Sequence, residues 1–246
     1  MTRLVFLDID GTYLAPGVVP TSASDAVRAA RARGHQVLLC TGRSLSQLFE
    51  DIMEAGFDGV VASGGGVVRY GDELLVSRTF APDDLARAVS WLDARGIDYW
   101  LEPDTGLVAS AHLAERLDAL PDQPYMRAPM APMRGVERDD VRKLLFLGSA
   151  TPIAEVEAGL GGVFDIIPGT IPALGPSMGE LAIRGVHKAA GIDAVVDGVF
   201  RRQHQNRACV AVLPQPSTNV HPIAVWKHPI EHDDIVKLRH GVVVRI

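Results

Sequence analysis

With 246 residues, 47% of them hydrophobic, the chain can bury the core of one large α/β domain or of two modest ones. A net charge of −6 with no long basic block argues against a nucleic-acid partner, and no apolar run reaches the roughly eighteen residues of a membrane span. Two cysteines, Cys40 and Cys209, make no disulfide framework and fit a reduced, cytoplasmic setting.

Arg3 to Ile9 alternates and is rich in β-formers, which predicts a strand. It ends too soon for a signal peptide, because the apolar stretch stops at Asp8. Thr21 or Ser22 can cap a helix through Val27 to Arg33, with Gly34 placed to end it. Gln36 to Cys40 is almost wholly apolar, as a buried parallel strand is. Ser44 can cap a helix to about Ala55, and Gly59 to Ala62 is a third short strand. Strand–helix–strand–helix–strand predicts a doubly wound parallel sheet. After Ser63 the rhythm changes. Gly64-Gly65-Gly66 is a turn, and Val67 to Tyr70 with Glu73 to Val76 form a hairpin around Gly71-Asp72. A helix over Ala81 to Arg95, strands at Tyr99 to Leu101 and Gly106 to Ala109, an irregular Pro121 to Gly135, and strands at Lys143 to Leu147 and Phe164 to Ile167 around a helix at Ile153 to Ala158 complete an inserted α/β unit. Glu180 to Ile183 is expected to return to the first domain, followed by a helix over His187 to Val196. The expected fold is therefore α/β, a Rossmann-like core of residues 1–80 and 183–246 with a cap of residues 81–182.

Asp8 and Asp10 stand two apart at the end of the first strand, so alternation predicts that both face one crevice beyond the strand's carboxyl end. Paired carboxylates repel, and a bound Mg²⁺ or acid–base work gives them a reason to sit together. Gly11 permits the sharp turn that follows.

Phe6-Leu7-Asp8-Ile9-Asp10-Gly11-Thr12 resembles the first motif (DxDGT) of the haloacid dehalogenase-like (HAD) phosphatases. The resemblance implies that Asp8 attacks phosphorus and forms an aspartyl phosphate, and that Asp10 protonates the leaving group and then activates water. It also implies that the Asp8 carboxylate and the Asp10 carbonyl hold Mg²⁺. Thr41-Gly42-Arg43 resembles the second motif in the form frequent in the Cof-type, class II cap subgroup. There the Thr41 hydroxyl and the Gly42 amide would bind phosphate oxygens, with Gly11 and Arg43 also at the substrate. Lys188, in Arg184-Gly185-Val186-His187-Lys188, is similar to the third-motif lysine that neutralises charge on the aspartate and phosphoryl group. Gly64-Gly65-Gly66 stands where this subgroup has its third strand end, and Pro168-Gly169-Thr170 is a cap loop within reach of a substrate. The implied activity is hydrolysis of a small phosphate monoester such as a sugar phosphate. Phosphomutase or phosphotransferase chemistry on the same aspartyl phosphate is the nearest rival.

The resemblance covers about residues 1 to 198 and then fails. The acidic fourth motif should follow Lys188 by about twenty to thirty residues, yet Val210 to Asn219 contains no acid. Cys209 to Leu213 reads as the strand itself, with Pro214-Gln215 where Gly-Asp is expected and Asp233-Asp234 at the wrong spacing. Five of the eight histidines fall after Arg201 (His204, His221, His228, His232 and His240), among Pro214, Pro216, Pro222 and Pro229. Natural divergence and an out-of-frame C-terminus both account for this. Either leaves Mg²⁺ with few charged ligands and predicts low or absent activity, or a protein that only binds a phosphorylated ligand or a partner. An unfinished edge of the core sheet, with exposed apolar surface, is a further expectation. Substrate identity and oligomeric state are not encoded in these motifs.

Overall fold

The structure, a computed structural model, describes residues 3–15, 17–115, 130–133, 138–147, 150–169, 177–200, 208–213, 235–238 and 241–245. Thr170, the residues from Pro214 to Asp234 and the five late histidines lie outside them, as does most of the expected loop at 121–135. Among the described residues no helix is long and apolar enough to cross a membrane. The chain divides into two units, residues 1–42, 49–76 and 187–246 in one and residues 43–48 and 77–186 in the other.

The first unit is built on an eight-stranded sheet of order β13-β14-β12-β1-β2-β3-β4-β5. β1 (Arg3–Leu7) alternates buried and half-buried residues and lies between β2 (Gln36–Cys40) and β12 (Ala208–Leu213), parallel to both. β3 (Gly59–Ala62) continues the parallel set, and β4 (Val67–Tyr70) and β5 (Glu73–Ser77) close that side. On the other side β14 (Gly241–Arg245) and β13 (Ile235–Leu238) extend the sheet beyond β12, so the expected unfinished edge is not what the described residues form. Helix α1 (Thr21–Ala32) starts after Pro20, whose extended backbone serves as the cap in place of a Thr21 or Ser22 side chain. It ends in a Schellman turn, Gly34 N–H to Arg31 O and His35 N–H to Ala30 O, for which Gly34 takes φ +81°. The expected helix over residues 44–55 is broken into a 3₁₀ turn (Leu45–Gln47) and α2 (Glu50–Met53). The Gln47 carbonyl accepts from Arg43 instead of serving a continuing helix, and Phe49 is extended. Leu4, Phe6, Leu38, Cys40, Val61 and Val68 form the core with Ile192 and Val195 of helix α6 (Lys188–Val195).

The second unit carries a six-stranded sheet of order β10-β11-β9-β6-β7-β8. β6 (Asp98–Pro103) and β9 (Val141–Leu147) are buried along their whole length at its centre. β7 (Leu107–Ala109) pairs parallel with β8 (Met130–Pro132), a short strand inside the stretch expected to be irregular. β11 (Gly179–Ile183) pairs with β9 and with β10 (Phe164–Pro168), so it completes this sheet and does not return to the first unit. The reason is cross-strand burial, since Leu181 lies opposite Leu144 in the core that α3 (Pro82–Asp93) and α5 (Ile153–Leu160) cover. The short α4 (Ala111–Ala114) follows β7. A buried ionic cluster lies across the sheet's centre, with Lys143 Nζ 3.3 Å from Glu102 Oε2 and 3.2 Å from Glu180 Oε1. Burial pushes the Glu102 carboxyl up against the pull of Lys143. Burial alone would lower Lys143, but the two carboxylates hold it above its ordinary value.

Arg142 ties this unit's first residues to its sheet. The guanidinium spans Asp104 with two bonds of 2.7 Å and donates to Ser77 Oγ (3.2 Å) and Arg78 O (3.0 Å), at 8% exposure. Arg142→Ala is expected to lower stability by about 2 to 3 kcal/mol, since it strands Asp104 and a carbonyl at once. Urea unfolding followed by tryptophan fluorescence checks this, and an unchanged midpoint would contradict it.

Candidate active site

β1 stops at Leu7, and the chain turns immediately. Thr12 and Leu14 N–H groups donate to Ile9 O (3.1 and 2.8 Å), Tyr13 N–H to Asp8 O (3.2 Å) and Gly11 N–H to Leu14 O (3.0 Å). Gly11 has φ +75°, a conformation that disfavours any residue with a Cβ. Asp8 and Asp10 therefore sit on a turn, not on one side of a continuing strand as alternation predicts. Asp8 is buried and Asp10 exposed. The chain runs from β1 to β2 on one side and places β12 on the other, both parallel to β1, so the strand order reverses at β1 and this turn lies at a switch point of the sheet, where α/β folds leave a crevice.

Lys188 reaches Asp8 across 180 residues of sequence, Nζ donating to Oδ2 at 2.7 Å, while Asp8 Oδ1 accepts the N–H of Ile9 at 2.8 Å. Lys188 is the first residue of α6. His187 precedes it as N-cap, its Nδ1 accepting the Ala190 N–H at 3.1 Å. The helix start is seated on the turn after β3, where a Cβ on Gly65 would lie 2.4 Å from the His187 carbonyl oxygen. Gly191 is equally pressed, its virtual Cβ 2.4 Å from Val61. Two glycines thus let α6 approach the sheet closely enough for Lys188 to reach Asp8.

Thr41 is fully buried at the end of β2. Its N–H donates to Val61 O (2.8 Å) and its carbonyl accepts from Gly64 N–H (3.0 Å), which ties this strand end to the glycine turn. Gly42 follows, half-buried, in the same unit. Arg43 falls within the second unit, 5% exposed, with its guanidinium donating to Gln47 O at 3.4 Å. Gly169, in the other expected substrate loop, also belongs to the second unit.

Three further residues at this edge carry little local signal. Ser63 holds φ +50°, which is uncommon for a residue with a side chain, and its Oγ is buried without a hydrogen-bond partner among the described residues. Thr12 Oγ1 is in the same state. His187, beside the motif lysine, is the N-cap of α6. Only Thr12 carried a signal, as the last residue of the first motif. Such orphaned buried hydroxyls suit a polar ligand. For a hard cation, the Asp8 carboxylate and the Asp10 backbone carbonyl are oxygen donors of a suitable kind. Among the described residues no group of three or more His, Cys, Asp or Glu side chains is arranged to hold a metal. β12 ends at the same sheet edge as β1, and the sequence after it has no acid before Glu231. The thiol of Cys40, at the end of β2, is pushed up to about 12 by burial, partly offset by Lys188 and reinforced by Asp8.

A family model described as haloacid dehalogenase-like hydrolase matches residues 5–202, and the chain belongs to that family. No protein with a curated description matches it. Among solved structures it is similar to a HAD subclass IIB sugar phosphatase (17% identity, TM-score 0.63), over 80% of this chain and 76% of that one. A phosphatase of the same superfamily from Bacteroides thetaiotaomicron shares 21% identity at a TM-score of 0.66, over 80% and 73%. A HAD/COF-like hydrolase from Plasmodium vivax shares 20% at 0.67, over 79% and 73%. At these identities the likeness establishes the fold, a HAD core with a cap domain.

Gly65→Ala is expected to displace the start of α6 and to destabilise the chain by about 2 kcal/mol, from strain and from the clash with His187. Thermal unfolding beside a Gly64→Ala control, whose Cβ meets nothing within 4 Å, measures the difference. If the two variants melt alike, Gly65 does not seat the helix. Cys40 is expected to resist iodoacetamide at pH 8 in the native chain and to react once unfolded.

Proposed function

We propose that this HAD-like hydrolase hydrolyses a small phosphate monoester, such as a sugar phosphate, through an aspartyl phosphate on Asp8. The observation that carries the reading is the buried Asp8 carboxylate at the switch point, 2.7 Å from Lys188. Each carboxylate oxygen has two lone pairs, so the bonds from Lys188 and Ile9 leave Asp8 able to attack. In the first step an Asp8 oxygen bonds to phosphorus, the ester P–O bond breaks, and Asp10 gives its proton to the departing oxygen. In the second, Asp10 takes a proton from water, whose oxygen attacks phosphorus and releases phosphate from Asp8. Lys188 offsets the charge that gathers on Asp8 and the phosphoryl oxygens. The Thr41 hydroxyl and the Gly42 amide, with Gly11, hold the phosphate. The orphaned hydroxyls of Thr12 and Ser63 add polar capacity at the same edge. Asp8 and Asp10 fit Mg²⁺ as hard oxygen donors, and the bound ion would supply charge neutralisation for the transferring group. With no acid following β12 before Glu231, few charged side chains would hold the ion, so affinity for the metal is expected to be low.

The absence of acid after β12 also favours a second reading, a protein that binds a phosphorylated ligand without turning it over. Phosphate release from sugar phosphates and an aryl phosphate separates the two. Turnover is expected to require Mg²⁺ at millimolar concentration and to vanish in Asp8→Asn. Lys188→Met should lower kcat by about 100- to 1,000-fold. A folded chain that binds phosphate but releases none from any ester at saturating Mg²⁺ would establish the binding role. Transfer to a second sugar without free phosphate would indicate a phosphotransferase.

A further inference from the structure

Helix N-caps are dominated by Ser, Thr, Asp and Asn, whose oxygens accept an orphan amide of the first turn. Here that position is held by a histidine. His187 is extended (φ −149°, ψ 163°), its Nδ1 accepts the Ala190 N–H at 3.1 Å and its carbonyl accepts the Gly191 N–H at 3.2 Å. The very next residue is Lys188, with Nζ 2.7 Å from Asp8 Oδ2. α6 has eight residues, so one capping bond is a large part of what fixes its first turn.

We propose that His187 is a positioning residue for Lys188, fixing the first turn of α6 so that this lysine reaches Asp8. The proposal rests on the reading of Lys188 as the partner of Asp8 in phosphoryl transfer. Nδ1 accepts a hydrogen bond only in the neutral ring with its proton on Nε2. A second proton turns Nδ1 into a donor facing the Ala190 N–H and sets a positive charge at the positive end of the helix. The cap therefore needs the neutral ring in that tautomer, whereas a Ser, Thr or Asn cap offers its oxygen in every state. The titratable and charged groups on the elements packed against α6 are few. β3 and the Ser63–Gly65 turn carry none, β4 carries Arg69 and Tyr70, and Asp197 follows the helix. Lys188 and Asp193 lie on α6 itself, and Asp8 meets it through the ion pair.

The test compares wild type, His187→Ala and His187→Asn by two readouts. The first is the rate at which acetic anhydride labels the Lys188 amine, read by peptide mass spectrometry, which needs no turnover. The second is kcat and KM on an aryl phosphate with Mg²⁺. Labelling is expected to be faster in His187→Ala and to return to the wild-type rate in His187→Asn. kcat should fall about five-fold in His187→Ala, the effect of one lost cap, with KM little changed, and be restored by His187→Asn. Equal labelling in all three, or labelling that stays fast in His187→Asn, would overturn the inference. If labelling follows the cap while no variant releases phosphate, the positioning role stands and the phosphatase reading fails.

Discussion

The contact on which the site depends is the bond from Lys188 to Asp8. It joins the end of the first strand to the first residue of a helix 180 positions later, so it forms only if the helix start is set against the sheet to within a fraction of an ångström. Close packing of that kind is bought with glycine. Gly65 meets the His187 backbone and Gly191 meets Val61, at distances where any side chain would collide. Ile192 and Val195 then anchor the same helix in the apolar core beneath. The charge pair is thus placed by packing, and the attraction between the two groups is a consequence of that placement.

The same arrangement explains why the candidate residues are concentrated at one edge. β1 has parallel neighbours on both sides, which brings the carboxyl ends of β12, β1, β2 and β3 to the same side of the sheet. The chain turns sharply directly after β1 and again after β3. Backbone bonds such as Gly64 N–H to Thr41 O hold neighbouring segments together. Strain at Ser63 and unsatisfied hydroxyls at Thr12 and Ser63 collect where a ligand can use them. The second unit has its own core and a buried Glu102–Lys143–Glu180 cluster at the centre of its sheet. Such a cluster is weak evidence for stability, since desolvation opposes the attraction.

Local sequence determined the strands and the motif positions. Continuous apolar runs such as Gln36 to Cys40 can only be buried strands, and Gly34 ends α1 because no other residue takes φ +81° so readily. Asp8, Thr41 and Lys188 were legible because each ends a strand or opens a helix, where short patterns are informative. What depended on partners distant in sequence was not legible. β11 joins the second sheet because Leu181 finds Leu144, and the helix over residues 44–55 breaks because Arg43 takes the Gln47 carbonyl. Asp10 leaves the predicted alternation because the turn's backbone bonds begin one residue after β1. The roles of Gly65 and His187 exist only where two segments meet. A glycine triplet and a lone histidine carry no sign of that in one dimension, and tertiary packing alone made one a seat and the other a cap.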